Sequence, residues 1–413
     1  MRTLVLGVLL MASTYGFAQR ACFTQEYLER QEAQHPAYAT NRAAIETFIK
    51  QQSALTATAK TASKDLIRIP VVVHILYTNS SQNITDAQVA SQIDALNRDF
   101  RRQNADTTNT PERFKALGAD VEIEFTLASA DPMGRPTTGI VRRQTTVSEW
   151  TMDDKIKFTA QGGSNAWDSK SYLNIWVGNV RQLLGYSSVP GGPAEKDGVV
   201  INTSAFGTIN IGAPYNLGRT AVHEVGHWLG LKHIWGDTYC GEDEVGDTPK
   251  QGNYTTGCPT TFRSSCSNNA TGDMYMNYMD FTNDACINLF TEGQKQRMRI
   301  LFNSGGPRQS LLSSKGLNEP WLEEAPVEEE PITPLASRLY PNPAANEAVL
   351  DLSGQPQWIG KELNVVGVNG ISVKRLVVTA PLQKIDLSSL APGIYLIWLK
   401  SGNEEIRQKL VKF

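Results

Sequence analysis

The chain has no basic excess, no long hydrophobic run, and few cysteines and histidines. Its 39 lysines and arginines against 42 acidic residues leave a net charge of −3. No cationic surplus exists to neutralise nucleic-acid phosphates or an anionic membrane, so neither is expected as a partner. The marked apolar run at the start, Leu4 to Met11, falls short of a membrane span, and no later segment reaches the roughly 20 residues a spanning helix needs. Met1-Arg2 precedes that run and Gly16-Phe17-Ala18 follows it, the pattern of a secretory signal peptide over 1–18 that leaves Gln19 first after cleavage. With 413 residues and 40% hydrophobic content, the chain can build one sizeable core and a smaller second domain.

The five cysteines are unevenly placed. Cys240, Cys258, Cys266 and Cys286 crowd into a Gly-, Asn-, Thr- and Asp-rich stretch with little periodicity. Such a stretch has few apolar side chains to hold its shape, so two cross-links in an oxidising compartment are expected, in any of three pairings. Cys22 is the odd one, far away near the start of the mature chain.

Residues 19 to about 60 read as one or two exposed helices with a thin apolar stripe that includes Phe48 and Ile49. IRIPVVVHILY, from Ile67, is a β-branched strand of the buried kind. The next segment has Thr85 or Asp86 as N-cap and apolar residues at Val89, Ile93, Leu96 and Phe100, the spacing of a helix. Strands are expected at 121–129, 172–180 and 197–207, a loop at 185–193, and helices near 218–232 and 291–302. That order implies a mixed α/β (α+β) domain with a twisted mixed sheet. A Pro- and Glu-rich stretch, 304–336, reads as an extended linker. Six or seven short strands beyond it, in 337–413, imply a separate small all-β sandwich without catalytic residue clusters.

Three of the five histidines fall in one short segment, HEVGHWLGLKH (223–233). His223 and His227 are four apart, so on a helix both imidazoles leave one face and reach one metal ion. Gly230 permits the helix to stop and the chain to turn back, bringing His233 in as a third ligand. Three nitrogens around Zn²⁺ leave a position open, as a catalytic rather than a structural site requires. Glu224 lies where it can take a proton from water as general base. The other two histidines carry no motif, and His74 reads as a satisfied residue of its strand.

This extended motif resembles the metzincin clan of metallopeptidases. Its continuation HIWGDTYCGEDEVGDTP, followed by MYMNYMDFTNDAC, is similar to the pappalysin family, with the likeness running over about 65–302. The resemblance implies a metzincin-like zinc endopeptidase acting on proteins or peptides, with the disulfides Cys240–Cys266 and Cys258–Cys286. It also implies a methionine turn beneath the metal at Met279, although Met274 and Met276 compete for that role. Glu242, Asp243, Asp247 and Thr248 form either a solvated acidic loop or a Ca²⁺ site; the resemblance favours structural calcium. Many relatives carry a tyrosine where this chain has Phe281, so a hydroxyl at the zinc is either missing or supplied elsewhere, for instance by Tyr278. Asp284 matches the family position at the bottom of the pocket for the residue after the scissile bond, implying a preference for Arg and less strongly Lys. Cys22, left over in the cysteine arithmetic, can supply a thiolate to the open zinc position. The family's precursors use such a cysteine for latency, with propeptide 19–64, catalytic domain 65–303, and Arg42, Lys60 and Lys64 as self-cleavage points.

RLYPNPAANEAVLDL, LAPGIYLIWL and the basic end resemble the immunoglobulin-like C-terminal sorting domain of the type IX secretion system. That implies the type IX machinery as partner and a secreted or surface-attached product of a Gram-negative cell. The alternatives are an accessory binding module at the C-terminus and, for the whole chain, a surface adhesion protein retaining a structural metal site.

Overall fold

The computed structural model describes residues 22–58, 65–322, 337–353, 355–402 and 404–413. The expected signal peptide, Lys60, Lys64 and the Glu-rich part of the expected linker lie outside them. The chain divides into two compact units, Met1–Glu324 and Ala325–Phe413.

In the first unit the N-terminal segment forms α1 (Thr24–Gln34) and α2 (Pro36–Thr58). Their stripe is not left to solvent. Tyr27, Leu28, Tyr38 and Ile49 are buried. β1 (Ile67–Tyr77) has the predicted bounds, and almost all of it is buried because layers cover both faces. α3 (Asp86–Phe100) is capped by Thr85, whose side chain accepts from Gln88 N, and buries Val89, Ile93, Leu96 and Phe100. The short α4 (Glu112–Lys115) leads to β2 (Ile123–Leu127), β3 (Ile140–Gln144), β4 (Leu173–Gly178), β5 (Gly185–Ser187) and β6 (Val199–Asn202). The sheet order is β2-β1-β4-β6-β5, with β3 also paired to β1. All pairings are parallel except that of β5, which runs antiparallel to β6 at the sheet edge. The expected loop at 185–193 therefore begins as a strand, and its outer edge, bridged at Gly185 by Cys22, faces the site.

α5 (Arg219–Trp228) and α6 (Glu292–Ile300) complete the unit. α5 stops before the expected 232 because Gly230 takes φ +82°, with Leu231 N bonding back to Gly226 O. The linker reading of 304–322 is corrected. Leu311 is buried, and the Arg308 guanidinium pairs with Asp197, donates to Trp228 O at 3.1 Å and lies 3.9 Å over the Trp228 ring. Burial and cation–π contact anchor this segment to the catalytic unit.

The second unit holds β7 (Arg338–Tyr340), β8 (Glu347–Asp351), β9 (Glu362–Gly367), β10 (Ser372–Val377), β11 (Leu382–Asp386), β12 (Gly393–Ser401) and β13 (Glu404–Lys412). They make two antiparallel sheets, β10-β9-β12-β13 and β11-β8-β7. Leu350, Val365, Ile385, Ile397 and Leu399 form the buried core of this unit, as the alternating pattern requires.

Candidate active site

Helical periodicity sets His223 and His227 on one face of α5, and the turn at Gly230 returns His233 beside them. His227 Nε2 lies 3.1 Å from Nε2 of both His223 and His233. The opposite ring nitrogens are oriented: His223 Nδ1 by Tyr278 O at 2.7 Å, His227 Nδ1 by Leu231 O at 2.9 Å, His233 Nδ1 by Asp237 Oδ1 at 2.5 Å. Each ring is thereby held with one nitrogen turned to the common point, the arrangement of metal ligands supported from behind. Burial, then the neighbouring His233, lowers the pKa of His227 to about 3 and keeps that imidazole neutral. Burial alone would raise Asp237; its contact with His233 outweighs this and lowers it. Asp237 was missed in the sequence, where its only signal is a carboxylate four residues after the last histidine.

Cys22 reaches the same point. Its Sγ is 3.6 Å from His227 Nε2, and the four donor atoms of Cys22, His223, His227 and His233 lie within 4.8 Å of one another. Burial and then the Glu224 carboxylate push this thiol well up. A thiolate is favoured there only with a cation at the imidazoles, and two or three nitrogens with one sulfur suit zinc. The residues present therefore fit that metal.

Thr24, also missed, sits beside Glu224. Its hydroxyl donates to Glu224 Oε2 at 3.0 Å and accepts from Ser187 N of β5 at 3.0 Å. Gly185 on the same strand leaves room for Glu224, since a Cβ there would come within 2.9 Å of its Cγ.

Among the competing methionines, Met279 lies against the active helix: a Cβ on Gly226, between the first two histidines, would meet its sulfur at 2.6 Å. Met274 and Met276 are buried, and Met274 Sδ faces Asn277. Tyr278 does not replace the hydroxyl that Phe281 lacks. Its ring turns to Phe290, at 4.7 Å between centroids, and to the Arg219 guanidinium. Phe281 packs instead in an aromatic box with His223, His233, Trp235 and Tyr254. Asp284 is fully buried at the N-terminal end of α5, its Oδ2 accepting from Leu217 N at 2.8 Å and Arg219 N at 3.4 Å. The Arg219 guanidinium pairs with Asp99 and Asp106.

The disulfides are Cys240–Cys266 and Cys258–Cys286. The four calcium candidates do not converge through their side chains. Glu242 pairs with Lys250, and Asp247 accepts from Thr291 Oγ1 and Gly293 N at the start of α6. Only Asp243 and Thr248 touch, at 2.7 Å. An acidic residue within this spacing was free to turn toward a nearby lysine or helix end, which spacing does not reveal.

Residues 158–303 match the family described as pregnancy-associated plasma protein-A, and residues 338–412 a secretion system C-terminal sorting domain. Mature mirolysin of Tannerella forsythia, solved with a cleaved peptide, is 50% identical to this chain. That match covers 61% of this chain and 97% of the other, at a TM-score of 0.59. The chain belongs to the pappalysin family of metzincin zinc metallopeptidases. A promirolysin mutant from the same bacterium extends the likeness to 71% of this chain and 97% of its own, at 45% identity and a TM-score of 0.66. The extracellular metalloprotease of Verticillium alfalfae is 31% identical over 288 residues, 66% of this chain and 86% of its own. This pappalysin is a secreted zinc-dependent endopeptidase, and its sorting domain marks it for export through the type IX system to the cell exterior. Among the described residues no helix is long and apolar enough to cross a membrane.

Proposed function

We propose that this pappalysin is stored as a latent precursor whose zinc is held by His223, His227 and His233, with Glu224 as general base. The observation that carries the reading is the meeting of Cys22 with the three histidines while Thr24 holds the base. A zinc ion at the imidazoles supplies a Lewis acid for the scissile carbonyl and acidifies the attacking water. The Glu224 carboxylate takes the water's proton and delivers it to the leaving amine. Once the segment of Cys22 and Thr24 has left it, the outer edge of β5 pairs with the substrate backbone, as an exposed strand edge does. Asp284 selects Arg, and less strongly Lys, after the scissile bond: a carboxylate desolvated this completely favours a matching cation. Met279 is the floor beneath the ligands.

Latency comes from the propeptide, 19–64, with Cys22 occupying the open zinc position. Self-cleavage before Lys60 or Lys64 fits this scheme better than cleavage before Arg42. Arg42 sits inside α2, not in the extended form that pairs with a strand edge. An adhesion protein has no use for an intact base under a built-in block. Structural calcium rests on the family likeness alone; metal analysis after dialysis against a calcium chelator tests it.

The principal experiment compares precursors carrying wild-type sequence, Cys22→Ala and Glu224→Ala on a mixed peptide library, with and without a zinc chelator. Cys22→Ala is expected to activate faster and Glu224→Ala to stay full length. Cleavage ends should show Arg after the bond, and Asp284→Asn should weaken that preference. Equal activation with and without the thiol defeats the latency mechanism, and an unchanged preference in Asp284→Asn defeats the assignment of that pocket.

A further inference from the structure

A second built site lies at the sheet edge, on the face opposite α5. Lys157 is fully buried there, 3.1 Å from Asp154 and donating to Lys196 O at 2.8 Å. The Lys196 ammonium also reaches Asp154, at 3.3 Å. The rings of Trp176 and Tyr186 flank the Lys157 ammonium at 5.4 and 5.2 Å. Tyr186 Oη is buried and has no hydrogen-bond partner among the described residues. In the precursor this socket is filled by the propeptide. Tyr27 lays its ring 4.9 Å from that of Tyr186, donates to Asp154 at 2.9 Å and accepts from Lys157 at 3.2 Å.

The socket is chemically selective. A phenol entering it gives a proton to hydrogen bonding with Asp154 and accepts one from Lys157, while its ring fills an apolar slot. A phenylalanine fills the slot but leaves Asp154 and Lys157, still paired with each other, one hydrogen bond short apiece, and a glutamate meets the Asp154 carboxylate.

Its position relates it to the cleft. Successive β5 side chains point to opposite faces. Gly185 faces Glu224, so Tyr186 faces the socket. A peptide strand paired with β5 places the residue beside Tyr186 on the same face. From Gly185, β5 leads away from the base toward the C-terminal end of α5. There Ser188 donates to Asp197, and the partner of Asp197, Arg308, reaches Trp228 O. Asp284 lies at the other end of that helix.

We propose that, once the propeptide leaves, this socket is a substrate subsite for a tyrosine side chain on the amino-terminal side of the scissile bond. The inference rests on the reading above, in which substrates pair with β5 and place the following residue at Asp284.

The test uses processed wild-type enzyme and peptides with Arg fixed after the bond and Tyr, Phe, Ala or Glu scanned over the three preceding positions. At one of these positions Tyr should exceed Phe in kcat/KM by about tenfold, the scale of one hydrogen bond to charged groups. In Asp154→Asn the Tyr-to-Phe ratio should fall toward one, with the Arg-to-Ala ratio after the bond unchanged. Should that variant not fold, the wild-type ratio still decides. A preference for Arg without any preference for Tyr before the bond overturns the subsite, leaving the socket a latch for the propeptide and the Asp284 reading intact. A Tyr preference found only after the bond overturns it as well.

Discussion

At the scale of single residues, one hydroxyl bears much of the proposed block. Thr24 touches Glu224, the edge strand and, at 3.3 Å, the Cys22 thiol. Thr24→Val keeps the shape and removes these bonds. Precursor activation should then speed up several-fold, the scale of one to two hydrogen bonds, while the processed enzyme, which lacks residue 24, keeps its kcat/KM. An activation time course followed by peptide cleavage measures this. His74 makes a different prediction. Buried between Ser164 and Asn174, it has its pKa lowered from 6.5 to about 4, chiefly by desolvation. A base depressed in the folded state gives stability that is complete above pH 6.5 and is lost as pH falls toward about 4. That gap corresponds to roughly 3 kcal/mol. Unfolding of the Glu224→Ala precursor, which cannot digest itself, should lose stability over that window, and His74→Gln should flatten the slope.

At the scale of elements, long periodic signals were legible and short ones were not. The apolar run of β1 and the stripe of α3 carry enough positions to specify their class, and Gly230 announces the end of α5. β5 is three residues, too few for any alternation, and it earns its place only by pairing with β6. The cluster of histidines was legible because four-residue spacing on a helix is a geometric constraint. Their backing by Asp237 and Tyr278 O depends on loop folding, and Thr24 on a contact across 200 residues. The segment after Asn303 failed for a related reason. Its Gly, Ser and Pro content suits a linker, yet one arginine, Arg308, ties it to Asp197 and to the end of the active helix. A chain ending at Asn303 leaves the Asp197 carboxylate buried without its cation, a loss of about 3–5 kcal/mol. Relative to a chain ending at Leu322, its Tm should fall by on the order of 10 °C, and Arg308→Ala in the longer chain should reproduce most of that fall in a thermal melt.

At the scale of the molecule, the proposed propeptide is better described as a docked subdomain than as a plug. Beyond Cys22 and Thr24, Tyr27 and Gln31 bond to Asp154, Tyr38 donates to Val189 O, and Asn41 to Gly191 O. Glu46 pairs with the buried Arg297. Leu28 and Ile49 add apolar burial. These contacts spread from the metal site along β5 and past its end to α6, and none depends on the covalent link between Thr58 and Ile67. A single cut before Lys60 or Lys64 therefore frees the chain end without dissolving the interface. The expected result is a nicked complex in which residues up to the cut stay bound and Cys22 remains at the histidines. Activity should then lag behind the cut, and follow either dissociation on dilution or a second cut within the released helices. The measurement pairs electrophoresis, which reports the nick, with size exclusion and peptide cleavage, which report dissociation and activity. Tyr27→Ala removes a central contact without touching Cys22 and should shorten the lag. Activity that rises in step with the first cut, at protein concentrations where nicked chains still co-elute, refutes the docked-subdomain account.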